Sequence, residues 1–174
     1  MKRLVFLTVI AFGFMTATAQ QSGPVDKIFD KYSGKEGITT VYISSMMFNL
    51  MNNLNVDDPE YKEFKKATQG IKMLRILSQD EVEPGEKGFA KELMEQLPKD
   101  QYEQLMMVKE EDQDVVFLAR EEKGVVVEFL LIVTGSSENA LIDIQGVIDL
   151  ESIASLSKGI GIEELNNLDE LDNK

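Results

Sequence analysis

The sequence contains no histidine and no cysteine. Without histidine it lacks the usual general base near neutral pH and the commonest metal ligand. Without histidine it also cannot form a Ser-His-Asp triad. Without cysteine as well it lacks thiolate nucleophiles, and the two absences together exclude ordinary zinc, haem and iron–sulfur sites. Carboxylate pairs, serine with lysine, and tyrosine remain as candidate chemistry. We therefore favour a non-catalytic protein, and assign no catalytic residue, no metal ligand and no cofactor.

Basic residues are scarce as well. The chain has 18 Lys and Arg residues against 31 Asp and Glu residues, which gives a net charge of −13. Nucleic acids and anionic lipids are bound mainly through clustered Lys and Arg side chains. We therefore expect no nucleic-acid partner.

The N-terminus has the pattern of a cleavable signal peptide. Lys2 and Arg3 precede the uncharged stretch Leu4–Met15, and small residues then lead to Ala19. This order of basic, apolar and small residues predicts cleavage between Ala19 and Gln20. The apolar stretch is too short to cross a hydrocarbon core of about 30 Å. A retained N-terminal anchor is the alternative.

Cleavage would remove Lys2 and Arg3 and leave residues 20–174 as a single domain with a short acidic C-terminal tail. The mature chain would carry 16 basic and 31 acidic residues, a net charge of −15. A domain of this size can bury a stable core without disulfides. We expect a protein of the periplasm or the exterior, with no stable membrane insertion after cleavage.

Apolar spacing and turn residues predict helices and strands in the first hundred residues. Helices are predicted to begin near Pro24, Met47 and Pro59 and after Pro84, with strands at 38–43 and 71–77. In the second helix Met47, Leu50, Met51 and Leu54 form an apolar stripe, which we interpret as core filling by adaptable side chains rather than as a soft-metal site.

Four apolar runs follow Pro98, separated by short polar turns. Short connections join antiparallel neighbours, because parallel strands need a crossover. A helix is predicted from Asp149 to Leu156. These patterns predict an α+β domain whose largely antiparallel sheet has a four-strand C-terminal meander plus one or two N-terminal strands, with helices packed on one face. The four runs span residues 102–109, 115–121, 125–134 and 140–148.

The third of these runs is apolar on both faces. Residues 125–133 contain one charge, Glu128. Either the strand is central and buried within the monomer, or one face is an apolar surface for self-association or for a ligand. That candidate surface consists of Val125, Val127, Phe129 and Leu131. The fourth run alternates instead, with Asp143 and Gln145 on a predicted wet face.

Two polar patterns are better explained by structure than by function. Residues 53–57 resemble the start of a calcium loop, but Asp58 stands where glycine is needed and Phe64 where the closing glutamate is needed. We therefore predict a connection between helices there. The acidic cluster at residues 110–114 is predicted to be a solvated turn, because paired carboxylates need burial to act in catalysis.

Four segments of the chain carry a family resemblance. They are Ile28-Phe29-Asp30-Lys31-Tyr32, Gly37-Ile38-Thr39-Thr40-Val41-Tyr42-Ile43-Ser44, Leu74-Arg75-Ile76-Leu77 and Ile144-Gln145-Gly146-Val147-Ile148-Asp149-Leu150. Together they resemble an uncharacterised family of exported bacterial proteins, domain of unknown function 4252, over approximately residues 25–168. The resemblance implies an exported, non-cytoplasmic domain with a role in envelope sensing or regulation, and it transfers no catalytic residue.

Three functions remain open at this stage. The leading hypothesis is a non-catalytic exported domain that binds another envelope component. The first alternative is a carrier or sensor of an apolar small molecule, which predicts a deep, dry pocket beside residues 125–133. The remote alternative is a carboxylate-based hydrolase, which predicts two shielded acidic side chains facing each other about 5–10 Å apart. A homo-oligomer also remains open.

Overall fold

The computed structural model describes residues 23–54, 57–80, 82, 87–136 and 138–149. Within them the chain forms four helices and six strands. The order along the chain is α1 (Pro24–Tyr32), β1 (Thr39–Ser44), α2 (Ser45–Asn52), α3 (Pro59–Thr68), β2 (Ile71–Gln79), α4 (Phe89–Gln96), β3 (Glu103–Lys109), β4 (Gln113–Glu122), β5 (Val125–Gly135) and β6 (Asn139–Ile148).

The six strands form one antiparallel sheet in the order β1-β2-β6-β5-β4-β3. Strands β3 to β6 are consecutive neighbours, as the short turns between them require. Strand β2 joins this meander through β6, where Leu77 lies opposite Leu141. Strand β1 adds an edge beyond β2. The predicted α+β class, antiparallel sheet and four-strand meander are confirmed. Of the one or two N-terminal strands that were predicted, both are present as β1 and β2.

Helices cover both faces of the sheet. On β5, Leu130 and Ile132 pack in a core with α1 and α4, while Phe129 and Leu131 pack in a second core with Phe48 of α2 and with α3. We call the two sides the α1–α4 face and the α2–α3 face. The prediction that helices pack on one face is therefore wrong. A strand that is apolar on both sides needs cover on both sides.

Strand β6 also differs from its predicted alternation. Asp143 is fully buried and Gln145 is partly buried, although both were assigned to a wet face. Helix α1 lies over this part of the sheet, where Phe29 stacks on Arg75 and Asp26 pairs with it. The polar side chains of β6 therefore point into a covered layer.

Candidate functional site

Helix α2 and the turn after it carry apolar side chains on the outside. Met46, Met47, Leu50 and Leu54 are between 50% and 70% exposed, whereas Phe48 is buried in the core. The exposed residues recur at spacings of three and four, so they lie along one side of the helix. The prediction that Met47, Leu50 and Leu54 fill the core is therefore wrong, whereas Met51 of the predicted stripe is partly buried.

Helix α2 is short and buries only one of its sides. Its eight residues make little more than two turns. Phe48 packs into the core of the α2–α3 face, and Met51 is only partly buried. Both sides of this helix are apolar, and spacing alone does not show which one is buried.

The exposed stripe belongs to a long uncharged segment. Residues 37–56 contain no Asp, Glu, Lys or Arg, although 28% of the residues in the chain are charged. Strand β1 and helix α2 lie inside this segment. On a molecule with a net charge of −13, it provides a place that another acidic surface can approach without strong repulsion.

Strand β1 is an edge strand that pairs with β2. On its other side the backbone groups pair with no described strand. Tyr42 projects from it and is 63% exposed. The strand contains no charge and no proline, and its register with β2 is regular. It therefore lacks the usual features that keep an edge strand from pairing with another chain. We call β1, α2 and the exposed stripe the β1–α2 surface.

The opposite edge of the sheet is protected. Strand β3 has Glu103 and Lys109 at its ends. A bulge between Gln104 and Met106 interrupts its register with β4. Charged residues and bulges both discourage pairing at an edge. The two edges of one sheet therefore differ in their capacity to accept another strand.

Polar contacts with α3 hold the end of α2 in place. The Thr68 hydroxyl donates to Oδ1 of Asn52 at 3.1 Å. The Tyr61 hydroxyl contacts the carbonyl oxygens of Met51 and Leu54. A groove of about 210 Å³ runs between the two helices. The stripe is therefore presented from a fixed position. The groove is lined by Asn49, Asn52, Asn53, Lys65 and Gln69.

A row of buried charged and polar residues crosses the α1–α4 face. Arg75 donates to Oδ2 of Asp143 from Nε at 2.9 Å and from Nη2 at 2.5 Å. The Gln145 amide donates to Asp143 at 3.1 Å and to Glu128 at 3.3 Å. Arg120 donates from Nε to Glu128 at 2.7 Å. We call these five residues the charge ladder.

Neighbouring side chains close both ends of the ladder. Asp26 of α1 pairs with Arg75 at 2.8 Å. The Tyr102 hydroxyl donates to Glu128 at 2.9 Å, and Arg120 also pairs with Glu122. Burial and the charge of Glu128 both raise the pKa of Tyr102, so its hydroxyl stays protonated as a donor. Each arginine therefore serves one buried and one more exposed carboxylate.

Burial dominates the protonation of Asp143. It raises the pKa of this carboxyl to about 7, although Arg75 opposes the shift; the charge of Glu128 adds to it. Oδ1 of Asp143 is buried and accepts no hydrogen bond from any described residue. A carboxylate that is desolvated and lacks one hydrogen bond holds its proton more tightly.

The ladder contains two shielded acids, as the hydrolase alternative requires. Asp143 is 0% exposed and Glu128 is 4% exposed, and Gln145 bridges them. However, each acid accepts hydrogen bonds from an arginine, and neither lines the α2–α3 groove or the cavity beside α1 and α4. A general acid must reach its substrate. We therefore assign the ladder a structural role.

The cavity beside α1 and α4 has a volume of about 550 Å³. Lys31 donates to both carboxylate oxygens of Glu92 at 2.8 and 2.7 Å, and the Tyr32 hydroxyl donates to Glu92 at 2.6 Å. The Lys31 hydrogen bond lowers the pKa of Glu92. This cavity does not border residues 125–133, where an apolar carrier would need its pocket. Side chains of the two cores fill both faces of β5 there.

The four residues predicted as an apolar surface are divided between the surface and the core. Val125 is partly exposed at the β4–β5 turn, and Val127 is partly buried. Phe129 and Leu131 are fully buried, so their assignment to a surface is wrong. Strand β5 is hydrogen-bonded on both sides and covered on both faces. Strand β5 is therefore a central strand buried within the monomer, which was the first of the two alternatives for this run.

Some predictions fall outside the described residues: the signal peptide, the Ala19–Gln20 cleavage site, the helix predicted from Asp149 to Leu156 and the acidic tail. Of the predicted turn at residues 110–114, residues 110–112 join β3 to β4 and are exposed, whereas Gln113 and Asp114 begin β4 and are partly buried. In the described part of the chain, no group of three acidic residues is placed to hold a metal ion. None of the described helices has the length and hydropathy that a membrane crossing requires.

The charge ladder and the β1–α2 surface could each be recognised in part from the sequence. Single charges inside apolar strands, such as Arg75 and Glu128, indicate buried partners, because lone charges are rarely buried. The uncharged segment at 37–56 is also visible in the sequence. Which side of α2 faces outward depends on packing.

Comparison with known proteins identifies a family and little else. Neither the curated proteins nor the solved structures provide a match to this chain. A family model described as a domain of unknown function (DUF4252) matches residues 32–156. That range runs from the end of α1 past the end of β6 and includes the whole β1–α2 surface and the ladder strands. The chain therefore belongs to the DUF4252 family.

Proposed function

We propose that this protein is an exported, non-catalytic domain of the periplasm or the exterior, and that it acts by binding another component of the cell envelope through the β1–α2 surface. The exposed stripe of Met46, Met47, Leu50 and Leu54 is the observation that carries the proposal. Contiguous exposed apolar side chains on a soluble protein commonly mark an interaction site. A role in envelope sensing or regulation would operate through this contact.

The chemistry of the surface favours a protein partner. Methionine side chains adapt to different apolar surfaces, and Met46 and Met47 stand at the start of the stripe. The segment carries no positive charge, whereas helices that lie on anionic membranes usually carry Lys and Arg on their polar side. The unpaired edge of β1 also fits another polypeptide, because it can add a strand. A protein that offers an uncharged apolar patch is the expected partner.

Photo-crosslinking from the surface tests this proposal. A photoreactive amino acid at Met47 should form a covalent adduct with an envelope protein in intact cells, because Met47 lies in the contact. The matched control places the same amino acid at Lys91, which is exposed on α4. Adducts at both positions, or at neither, would contradict binding through this surface.

The export part of the proposal has its own test. Mass spectrometry of the protein from a periplasmic or culture fraction should give a chain that begins at Gln20. Replacing Ala19 with a bulky residue such as Phe should block cleavage and leave the longer chain in the membrane fraction. An uncleaved wild-type chain in the soluble cytoplasm would contradict export.

A further inference from the structure

We infer that the partner at the β1–α2 surface is a second copy of this chain, joined by antiparallel pairing of β1 with β1 about a two-fold axis. This inference rests on the proposed function: the envelope component bound at this surface is itself a second copy of the exported chain, so the adduct expected from Met47 is a crosslinked dimer. It follows from three properties of the described residues: the side chains that would meet, the position of α2 over the sheet, and the distribution of charge.

The side chains of β1 suit pairing with a copy of themselves. In an antiparallel pair that continues the sheet, residues from one face of the strand lie opposite residues from the same face. Val41 and Ile43 would then meet Thr39, Val41 or Ile43 of the other copy. Tyr42 would meet Thr40, Tyr42 or Ser44 in the same way. Every such pair is uncharged and most are β-branched or aromatic, which favours cross-strand packing.

The position of α2 would bring the two helices into contact. Helix α2 packs on both β1 and β2. Neighbouring strands are about 4.8 Å apart, so the two-fold axis would lie roughly 2.4 Å beyond β1 and about 5 Å from the α2 axis. The two α2 helices would then be about 10 Å apart on the same face, close to the 8–10 Å of packed helices.

Contact between the helices supplies the area that a strand edge lacks. Six residues of edge strand alone make a small interface compared with stable protein contacts. Met46, Met47 and Leu50 add exposed apolar area beside the same seam. A two-fold arrangement uses the same patch on both partners, and this patch is apolar in both. The strand edge and the helix stripe therefore form one self-complementary surface.

Charge leaves few other places for two copies to meet. Each chain has a net charge of −13, so two copies repel each other over most of their surfaces. Residues 37–56 carry no charge, and pairing through them puts no like charges opposite each other. Two acidic molecules can therefore approach closely at this surface, where their desolvation is not opposed by buried carboxylates.

Sedimentation velocity of the purified mature chain over a concentration series tests the inference. The wild type should show a reversible monomer–dimer equilibrium. Leu50→Glu should raise the dissociation constant about 100-fold or more, because it removes apolar contact and adds a negative charge to each of the two helices that meet. Leu50→Lys should do the same, and a one-to-one mixture of the two variants should restore dimer. Gln104→Glu on the protected β3 edge should leave the equilibrium unchanged.

Hydrogen exchange gives a second readout that does not depend on a variant. Amides of β1 that point away from β2 should exchange more slowly at high protein concentration than at low concentration. Amides of β3 should show no such dependence. Circular dichroism of each Leu50 variant should match the wild type, because the residue is exposed and its replacement leaves the core intact.

The outcomes separate this inference from the proposed function. A wild-type chain that stays monomeric at every concentration overturns the inference, and so does a dimer that Gln104→Glu weakens as much as Leu50→Glu does. If the monomeric chain still crosslinks to a different envelope protein from Met47, the proposed function stands without the inference. If it is monomeric and forms no adduct, both are overturned.

Discussion

The two faces of the sheet distribute polarity in opposite ways. On the α1–α4 face, Arg75, Asp143 and Glu128 are buried beneath helices. On the α2–α3 face, the outer side of α2 exposes Met47 and Leu50 to solvent. One face therefore hides charge, and the other displays apolar side chains. Both depart from the usual arrangement of apolar residues inside and charges outside.

The buried charges of one face are explained within the monomer, whereas the exposed apolar side chains of the other face are not. Each buried acid of the ladder has an arginine, so the layer satisfies most of its own charges. The exposed stripe on α2 has no described partner within the chain. Buried ion pairs add little net stability but are costly to break. An exposed apolar stripe is explained most simply by a contact outside the monomer.

The largest expected effect is on the ladder. Asp143→Ala should lower the free energy of unfolding by about 3–5 kcal/mol, because Arg75 would stay buried without its main partner. Urea unfolding at pH 8, where Asp143 is largely ionised, measures this change. The double variant Arg75→Met/Asp143→Leu should lose much less, since it removes both charges. Equal losses in the single and double variants would contradict a buried ion pair.

A comparison within α2 should sharpen the contrast between its two sides. Phe48→Ala should lower the free energy of unfolding by about 3–5 kcal/mol, because it leaves a cavity in the core. Leu50→Ala should change it by less than about 0.5 kcal/mol, as expected for an exposed position. Thermal or urea unfolding of dilute protein distinguishes them. Similar losses of stability at both positions would mean that Leu50 is buried, and would contradict an exposed stripe on α2.

The pH dependence of stability should report on Asp143. Its pKa is about 7 in the folded protein, above the ordinary value of 3.8. Between these values the folded chain holds a proton that the unfolded chain releases, so stability falls as pH rises from about 4 to about 7. The free energy of unfolding should therefore be higher at pH 5 than at pH 8.

The control for this pH effect is Asp143→Asn, which has no proton to release. The fall in stability between pH 5 and pH 8 should be smaller in this variant than in the wild type. Groups remote from Asp143 contribute equally to both proteins, so the difference between the two slopes belongs to Asp143 and the charges coupled to it. Identical slopes would contradict the raised pKa.

The smallest expected effect is a difference in rate between methionines. Mild oxidation by hydrogen peroxide should convert Met46 and Met47 to the sulfoxide several times faster than Met94, which packs partly buried against the α1–α4 core. Peptide mass spectrometry of dilute protein measures each rate. Oxidation of Met94 at the same rate would remove the proposed difference in exposure between the two faces.

Periodicity predicted most of the fold, because the decisive signals are local. Pro24 begins α1 as predicted, and polar turns separate β3 to β6 within a few residues of the predicted ends. Short connections between these strands allow only antiparallel neighbours. The position of β2 beside β6 is not a local property. It depends on contacts such as Leu77 with Leu141, which are far apart in the sequence.

The candidate site was harder to predict, because it depends on which side of an element is covered. Asp143 alternates with Ile142 and Ile144, which is typical of a strand with one wet face. Helices α1 and α4 cover that face, and α1 places Asp26 and Phe29 over Arg75. In α2 both Phe48 and Leu50 are apolar. Which of the two is buried depends on how the helix packs on β1 and β2.

The strand order has a consequence for folding. Strands β3 to β6 contact their neighbours in sequence, so this part of the sheet can form through short loop closures. Strand β2 must find β6 across a long segment, and among the described strands β1 pairs with β2 alone. The β1–β2 pair should therefore join the meander last and separate from it first. A molecule that binds at β1 would therefore stabilise the part of the domain that opens most easily.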